Sequence, residues 1–131
     1  IYRSGSILLD RKSLNSRQES MQKMQDTLEL GINLCLYPEG TRNKTDKPLQ
    51  PFFDGAFVTA IKAQKAIIPG IIFNTSKIAP VHKKFWARPM PVHIHFLEPI
   101  LTTGMTLDDV PKLKEYTHNI MEKYYTTNQP S

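Results

Sequence analysis

The stretch Ile32-Asn-Leu-Cys-Leu-Tyr-Pro-Glu-Gly-Thr-Arg-Asn-Lys44 decides how this chain is read. Ile32 to Tyr37 carries no charge, which suits a strand covered on both faces. It then breaks at Pro38 into an acid, a glycine, a hydroxyl and an arginine. Proline biases the residue before it toward extended backbone and sharpens the exit from a strand. Glycine permits close backbone approach, a threonine hydroxyl can donate, and a guanidinium can grip two phosphate oxygens at once. Gly40, Thr41 and Arg42 therefore have the parts of an anion cradle, with a phosphate monoester as the natural guest. Glu39 repels phosphate, so its candidate roles are to orient Arg42, to accept from a substrate hydroxyl, or to accept backbone N–H groups that brace the loop. The alternative is an ordinary Glu39–Arg42 ion pair in a turn shaped by Pro38 and Gly40.

Working outward, Ser6 to Leu9 has the pattern of a short apolar strand ending at Asp10-Arg11. Ser16 to Glu19 has the form of a capping box, with Met21, Met24 and Leu28 following at helical spacing and Gly31 as the stop. Asn43 to Gln50 has turn composition, Ala56 to about Lys65 predicts a second helix, and Ile67 to Asn74 a further strand. Val92 to Phe96 alternates as a strand does, and a last helix is expected from near Pro111 through Leu113, Ile120, Met121 and Tyr124. Alternation of strands and helices predicts an α/β layered fold with a mostly parallel sheet flanked by helices. Ligands bind beyond the carboxyl ends of such strands, which places Arg11 and Pro38 to Arg42 at one site.

The chain has 131 residues, 40% hydrophobic and 22% charged, with a formal charge of +5. Those values fit one globular domain, read here as spanning 1–131. The chain opens at Ile1 without a methionine and runs at once into a strand pattern, so it is expected to be the C-terminal portion of a longer chain, incomplete at the N-terminus. Cys35, the single cysteine, lies between Leu34 and Leu36 and is expected as a small buried hydrophobe, in keeping with a reducing compartment. The longest apolar run, Ala66 to Phe73, falls far short of the roughly 20 residues of a spanning helix, and no signal-peptide pattern is visible. Phosphates, anionic headgroups and acidic carriers suit the charge; nucleic acid does not, since neither zinc-finger spacing nor an RNA-binding aromatic motif occurs.

Three ordered blocks give the chain a resemblance to the glycerolipid acyltransferase family, the one that includes 1-acyl-glycerol-3-phosphate acyltransferase. Leu36 to Asn43 resembles its F-P-E-G-T-R-S block, with tyrosine for phenylalanine. Gly5 to Arg11 resembles the preceding G-x-x-F-I-x-R block, and Ile67-Ile68-Pro69 the later V-P block. Pro51 to Ala60 is similar to the intervening L-P-F-K-x-G-A-F-x-x-A stretch, with Phe53 and Asp54 at the family's basic positions. The resemblance implies a glycerol-3-phosphate acyltransferase-like fold and transfer of a fatty acyl group from acyl-CoA or acyl carrier protein to lysophosphatidic acid, giving phosphatidic acid. It implies that Arg11, Glu39, Gly40, Thr41 and Arg42 bind the phosphorylated acceptor and that Pro69 shapes the acyl-side pocket. It further implies a membrane surface as partner, at the cytoplasmic face, peripheral or through an N-terminal anchor, and requires neither metal nor bound cofactor.

One departure bears on catalysis. The family's chemistry rests on an upstream H-x4-D block, in which histidine takes the acceptor's hydroxyl proton and aspartate orients it. Here His82, His93, His95 and His118 are followed five positions later by Ala87, Glu98, Ile100 and Lys123. No catalytic residue is assigned within this chain, which as it stands is expected to be inactive alone. Two alternatives to the lysophosphatidic acid reading stay open: a non-catalytic lipid-phosphate or acyl-carrier binding module, and an acyltransferase for another lysophospholipid. His93 and His95 share a strand face but lack a third metal ligand nearby, and Lys83, Lys84, Trp86 and Arg88 suit either a solvated loop or anionic headgroups.

Overall fold

The computed structural model describes residues 14–80 and 88–129. The strand expected over Ser6 to Leu9, and with it Arg11, lies outside the described residues, as do Lys83, Lys84 and Trp86. Helix α1 spans Leu14–Glu29, α2 Gly55–Lys62, a single turn α3 Thr75–Ile78, and α4 Val110–Thr127; strands β1 and β2 span Gly70–Phe73 and His93–Phe96. Ser16 falls inside the first turn of α1 rather than capping it. Gly31, with φ +78, ends that helix in the left-handed conformation that suits glycine.

The core forms where α2, β1 and α4 meet. Phe57 and Ile61 of α2, Ile71 and Phe73 of β1, and Val110, Leu113 and Met121 of α4 are buried together with Phe52. Their spacing explains the assembly: 57 and 61 share a helix face, as do 110, 113, 117 and 121, while 71 and 73 share a strand face. Phe73 stacks on Tyr125 at 5.3 Å between ring centroids. The Tyr124 hydroxyl is hydrogen-bonded to His95 Nδ1 at 3.1 Å, tying α4 to β2. Pro111 sits in the first turn of α4, where a missing N–H costs nothing.

Among the described residues the only sheet has two strands, β1 and β2, paired antiparallel with Gly70 opposite Phe96 and Phe73 opposite His93. A mostly parallel sheet is therefore not what these residues build. Apolar runs report burial and not strand direction, and the long basic connection between β1 and β2 reverses the chain instead of crossing over. Beyond the strands an isolated bridge joins Ile67 to Ile100. Between that bridge and the Gly70–Phe96 pair, residues 68 and 69 face residues 97 to 99, so the β2 side carries a bulge. Along 67–73 the inward positions are all odd: Pro69, Ile71 and Phe73 are buried. Across the bulge the inward positions of the partner switch from His95 and Leu97 to Ile100 and Thr102.

Ile32 to Tyr37, expected as a buried strand, is not one. A strand exists through ladder hydrogen bonds to a neighbour, and no described strand lies along this segment. It keeps a two-residue alternation, with Leu34, Leu36 and Pro38 turned toward one cleft. Cys35 takes the opposite direction and is exposed, contrary to the burial expected of it.

Candidate phosphate-binding corner and apolar cleft

Tyr37 to Phe53 is a loop held by its own side chains. The Gly40 N–H donates to the Tyr37 carbonyl at 2.9 Å, and Gly40, at φ +65, occupies the left-handed region required to turn the chain there. The Phe53 N–H donates to the Pro38 carbonyl at 2.8 Å, joining the two ends of the loop just before α2. Between them, Glu39 Oε2 accepts the backbone N–H of Gln50 at 3.0 Å. Of the roles open to Glu39, bracing the loop is the one its geometry serves. No Glu39–Arg42 ion pair forms: the Arg42 guanidinium instead donates through Nη2 to the Ala79 carbonyl at the end of α3.

Asn43 and Gln50, which the sequence did not single out, organise the rest. Asn43 Nδ2 donates to the Lys47 carbonyl at 2.8 Å, while its Oδ1 accepts from the Thr45 N–H at 2.9 Å and the Thr45 hydroxyl at 2.8 Å. The Gln50 side-chain amide donates to the Arg42 carbonyl at 3.2 Å and to Asn43 Oδ1 at 3.3 Å. The N-x-T pattern of Asn43 to Thr45 signals such a side-chain-closed turn; nothing local marks Gln50.

This corner adjoins an apolar cleft of about 170 Å³. Leu34, Leu36 and Pro38 line one side, Ala56, Phe57 and Ala60 of α2 another, and Ile67 to Gly70 a third. Pro69 is buried in that wall, its carbonyl accepting from the Leu97 N–H at 2.9 Å. Glu39, Gly40, Thr41 and Arg42 thus lie in one loop whose Pro38 opens onto the cleft that Pro69 lines. Thr41 and Arg42 are exposed at its surface. An arginine has five N–H donors, so the single bond to Ala79 leaves donors for an anion. Among the described residues no group of histidine, cysteine, aspartate or glutamate is placed to hold a metal ion. His118 packs edge-on against Phe52 at 4.8 Å and His95 against Phe73 at 5.0 Å, so both serve the core.

A loop built on Pro38-Glu39-Gly40-Thr41-Arg42 at the mouth of an apolar cleft agrees with what family comparison finds. The family model described as Acyltransferase matches residues 1–73, and the chain belongs to the acyltransferase family. Its particular likeness is to the 1-acyl-sn-glycerol-3-phosphate acyltransferases. That of Haemophilus influenzae is 32% identical over 121 residues, covering 92% of this chain and 49% of that protein. The human 1-acyl-sn-glycerol-3-phosphate acyltransferase beta is 36% identical over 113 residues, covering 81% and 40%. The chain thus spans about half, or less, of the length of these relatives. The crystal structure of the 1-acyl-sn-glycerophosphate (LPA) acyltransferase PlsC from Thermotoga maritima matches with a TM-score of 0.71 at 20% identity, over 82% of this chain and 43% of that one, which establishes the fold.

Proposed function

We propose that this chain supplies the phosphate-holding corner and acyl-side cleft of an enzyme that moves a fatty acyl group from acyl-CoA or acyl carrier protein to 1-acyl-sn-glycerol-3-phosphate, forming phosphatidic acid at the cytoplasmic face of a membrane. The observation that carries this is the braced Glu39–Arg42 corner following directly on Pro38, which lines an apolar cleft, since the acceptor has a phosphate at one end and a hydrocarbon chain at the other. Arg42 and Arg11 would neutralise the phosphate, Gly40 and Thr41 would let it approach the backbone, and Pro69 would contact hydrocarbon. Holding the phosphate presents the free hydroxyl. A base takes the hydroxyl proton, the oxygen attacks the thioester carbonyl, the C–S bond breaks, and the thiol leaves with a proton returned to sulfur. None of the described histidines is followed by an aspartate at the family spacing, so that base is not assigned here.

Titration of lysophosphatidic acid into the chain tests the corner. Replacing Arg42 with alanine removes a charge-assisted contact and should weaken binding by roughly 10- to 100-fold, with Arg42→Lys intermediate and an uncharged monoacylglycerol unaffected. Equal affinities for wild type and Arg42→Ala would overturn the assignment. A second reading, a binding module without turnover, is kept because no H-x4-D occurs within these 131 residues. Phosphatidic acid formed from acyl-CoA and lysophosphatidic acid by the protein expressed from its own start codon would exclude that module; tight binding by that protein with no product would support it.

A further inference from the structure

Arg42 is held at both of its ends. The Gln50 side-chain amide donates to its backbone carbonyl at 3.2 Å, and its guanidinium donates through Nη2 to the carbonyl of Ala79. The two partners differ in kind. Gln50 belongs to the same loop, whereas Ala79 lies 37 residues further along the chain, directly after the single turn α3. An exposed arginine without such a contact spreads over many rotamers, and ordering it when a ligand arrives costs side-chain entropy. The bond to Ala79 removes part of that cost in advance. Because a carbonyl is a neutral acceptor, it leaves the guanidinium's charge uncancelled, whereas a carboxylate in its place would compete with an incoming phosphate.

The position of Ala79 is set from β1. Phe73 ends that strand in the core, and the next residue, Asn74, turns the chain out of it in the left-handed conformation, with φ +66 and ψ 4. Apart from glycine, asparagine is among the residues that adopt this conformation most readily. The Asn74 carbonyl accepts the Ile78 N–H at 2.9 Å and the Thr75 carbonyl accepts the Ala79 N–H at 3.1 Å, which closes α3. At the far end the Arg88 N–H donates to the Ile78 carbonyl at 2.8 Å. The half-buried Asn74 side chain makes no capping bond to α3. Its Nδ2 donates instead to the Pro91 carbonyl at 3.3 Å, tying the start of the turn to the residues that enter β2. Glycine would meet the backbone requirement alone; the amide adds the tether.

We infer that Asn74 is a positioning residue for Arg42: its left-handed backbone and its bond to Pro91 fix α3, and α3 in turn presents the Ala79 carbonyl that aims the guanidinium at the acceptor's phosphate. Asn74 itself touches no substrate. The inference rests on the phosphate-holding role proposed for Arg42. To that role it adds a residue well outside the Pro38–Arg42 stretch, one that sets how far the guanidinium is ordered before the phosphate arrives.

The test is a double-mutant cycle between Arg42 and Asn74 in the protein expressed from its own start codon, read as Kd for lysophosphatidic acid and for an uncharged monoacylglycerol. Asn74→Gly keeps the backbone conformation and loses only the tether, and should weaken lysophosphatidic acid binding roughly threefold to fivefold. Asn74→Ala also gives up the left-handed preference and should weaken it roughly tenfold or more. Neither should alter monoacylglycerol binding, and in the Arg42→Ala background neither should weaken lysophosphatidic acid binding by more than about twofold. Weaker binding by Arg42→Ala with no effect of either Asn74 variant overturns the inference and leaves the phosphate-holding reading in place. Equal losses for both ligands, or in both backgrounds, also overturn it, since they mark a general structural defect. So does tighter binding of lysophosphatidic acid by Asn74→Gly, the sign of a latch that phosphate must break. Unchanged affinity in Arg42→Ala itself removes the phosphate-holding reading and the inference with it.

Discussion

Replacing Glu39 with alanine asks whether this carboxylate shapes the loop or serves a ligand. Its Oε2 accepts the Gln50 N–H at 3.0 Å across an eleven-residue separation, with both residues half-buried. A hydrogen bond to a charged group contributes roughly 1.5–3 kcal/mol, and partial exposure argues for the lower end. Glu39→Ala should then cost about 1.5 kcal/mol, which for a chain of this size lowers Tm by roughly 6 °C. Glu39→Gln keeps an acceptor and should lose about half as much. Tm alone does not locate the damage, so the decisive readout is amide exchange at Gln50. That amide should be protected in the wild type, partly in Glu39→Gln, and unprotected in Glu39→Ala. A Gln50 amide equally protected in all three would refute the bracing role and return Glu39 to the list of groups that touch substrate.

Three further outcomes follow from the packing. Thr102 is buried and its hydroxyl donates to the carbonyls of Lys65 at 2.9 Å and Ala60 at 3.3 Å; Thr102→Val should cost about 1–3 kcal/mol in urea unfolding by stranding a buried acceptor. Phe57 is 2% exposed between α4 and the cleft; Phe57→Ala should cost about 3–5 kcal/mol in the same assay. Lys114 and Asp54 pair at 2.6 Å, with side chains 33% and 61% exposed; Lys114→Ala should cost less than about 1 kcal/mol, and the difference should shrink in high salt.

Where the sequence carried a period, it was legible. Leu113 and Met121 place the inward face of α4, and Phe57 and Ile61 that of α2, because a helix repeats its face every three or four residues and burial follows. Val92 to Phe96 alternates and Ile67 to Asn74 is a nearly uninterrupted apolar run, and the paired strands β2 and β1 lie within them. The turn after Tyr37 was legible from Pro38 and Gly40, and Gly40 takes the left-handed conformation there. Strand direction was not, because Ile71 and Ile72 look the same beside a parallel or an antiparallel neighbour. Ile32 to Tyr37 misled for a related reason: an uncharged run suits a ladder but does not supply the neighbour that makes one. Cys35 was misread with it, since its side was inferred from Leu34 and Leu36 on the assumption that both faces were covered. The donor to Glu39 was hidden because Gln50 contributes a backbone N–H, which every residue but proline has.

The bulge opposite Pro69 has a consequence for how this region tolerates change. Proline has no N–H to offer a ladder, and the slipped register lets Leu97 bond to its carbonyl while Ile100 resumes pairing with Ile67 at 2.9 and 2.8 Å. Residues 97 to 99 are therefore constrained more in number than in kind. Swapping Glu98 for another polar residue leaves the arrangement intact, whereas deleting it would turn Ile100 and Thr102 to face water, strip the carbonyls at the end of α2 of their donor, and loosen the wall that Pro69 forms. Variation in this hairpin should accumulate as substitutions and be purged as single-residue gaps.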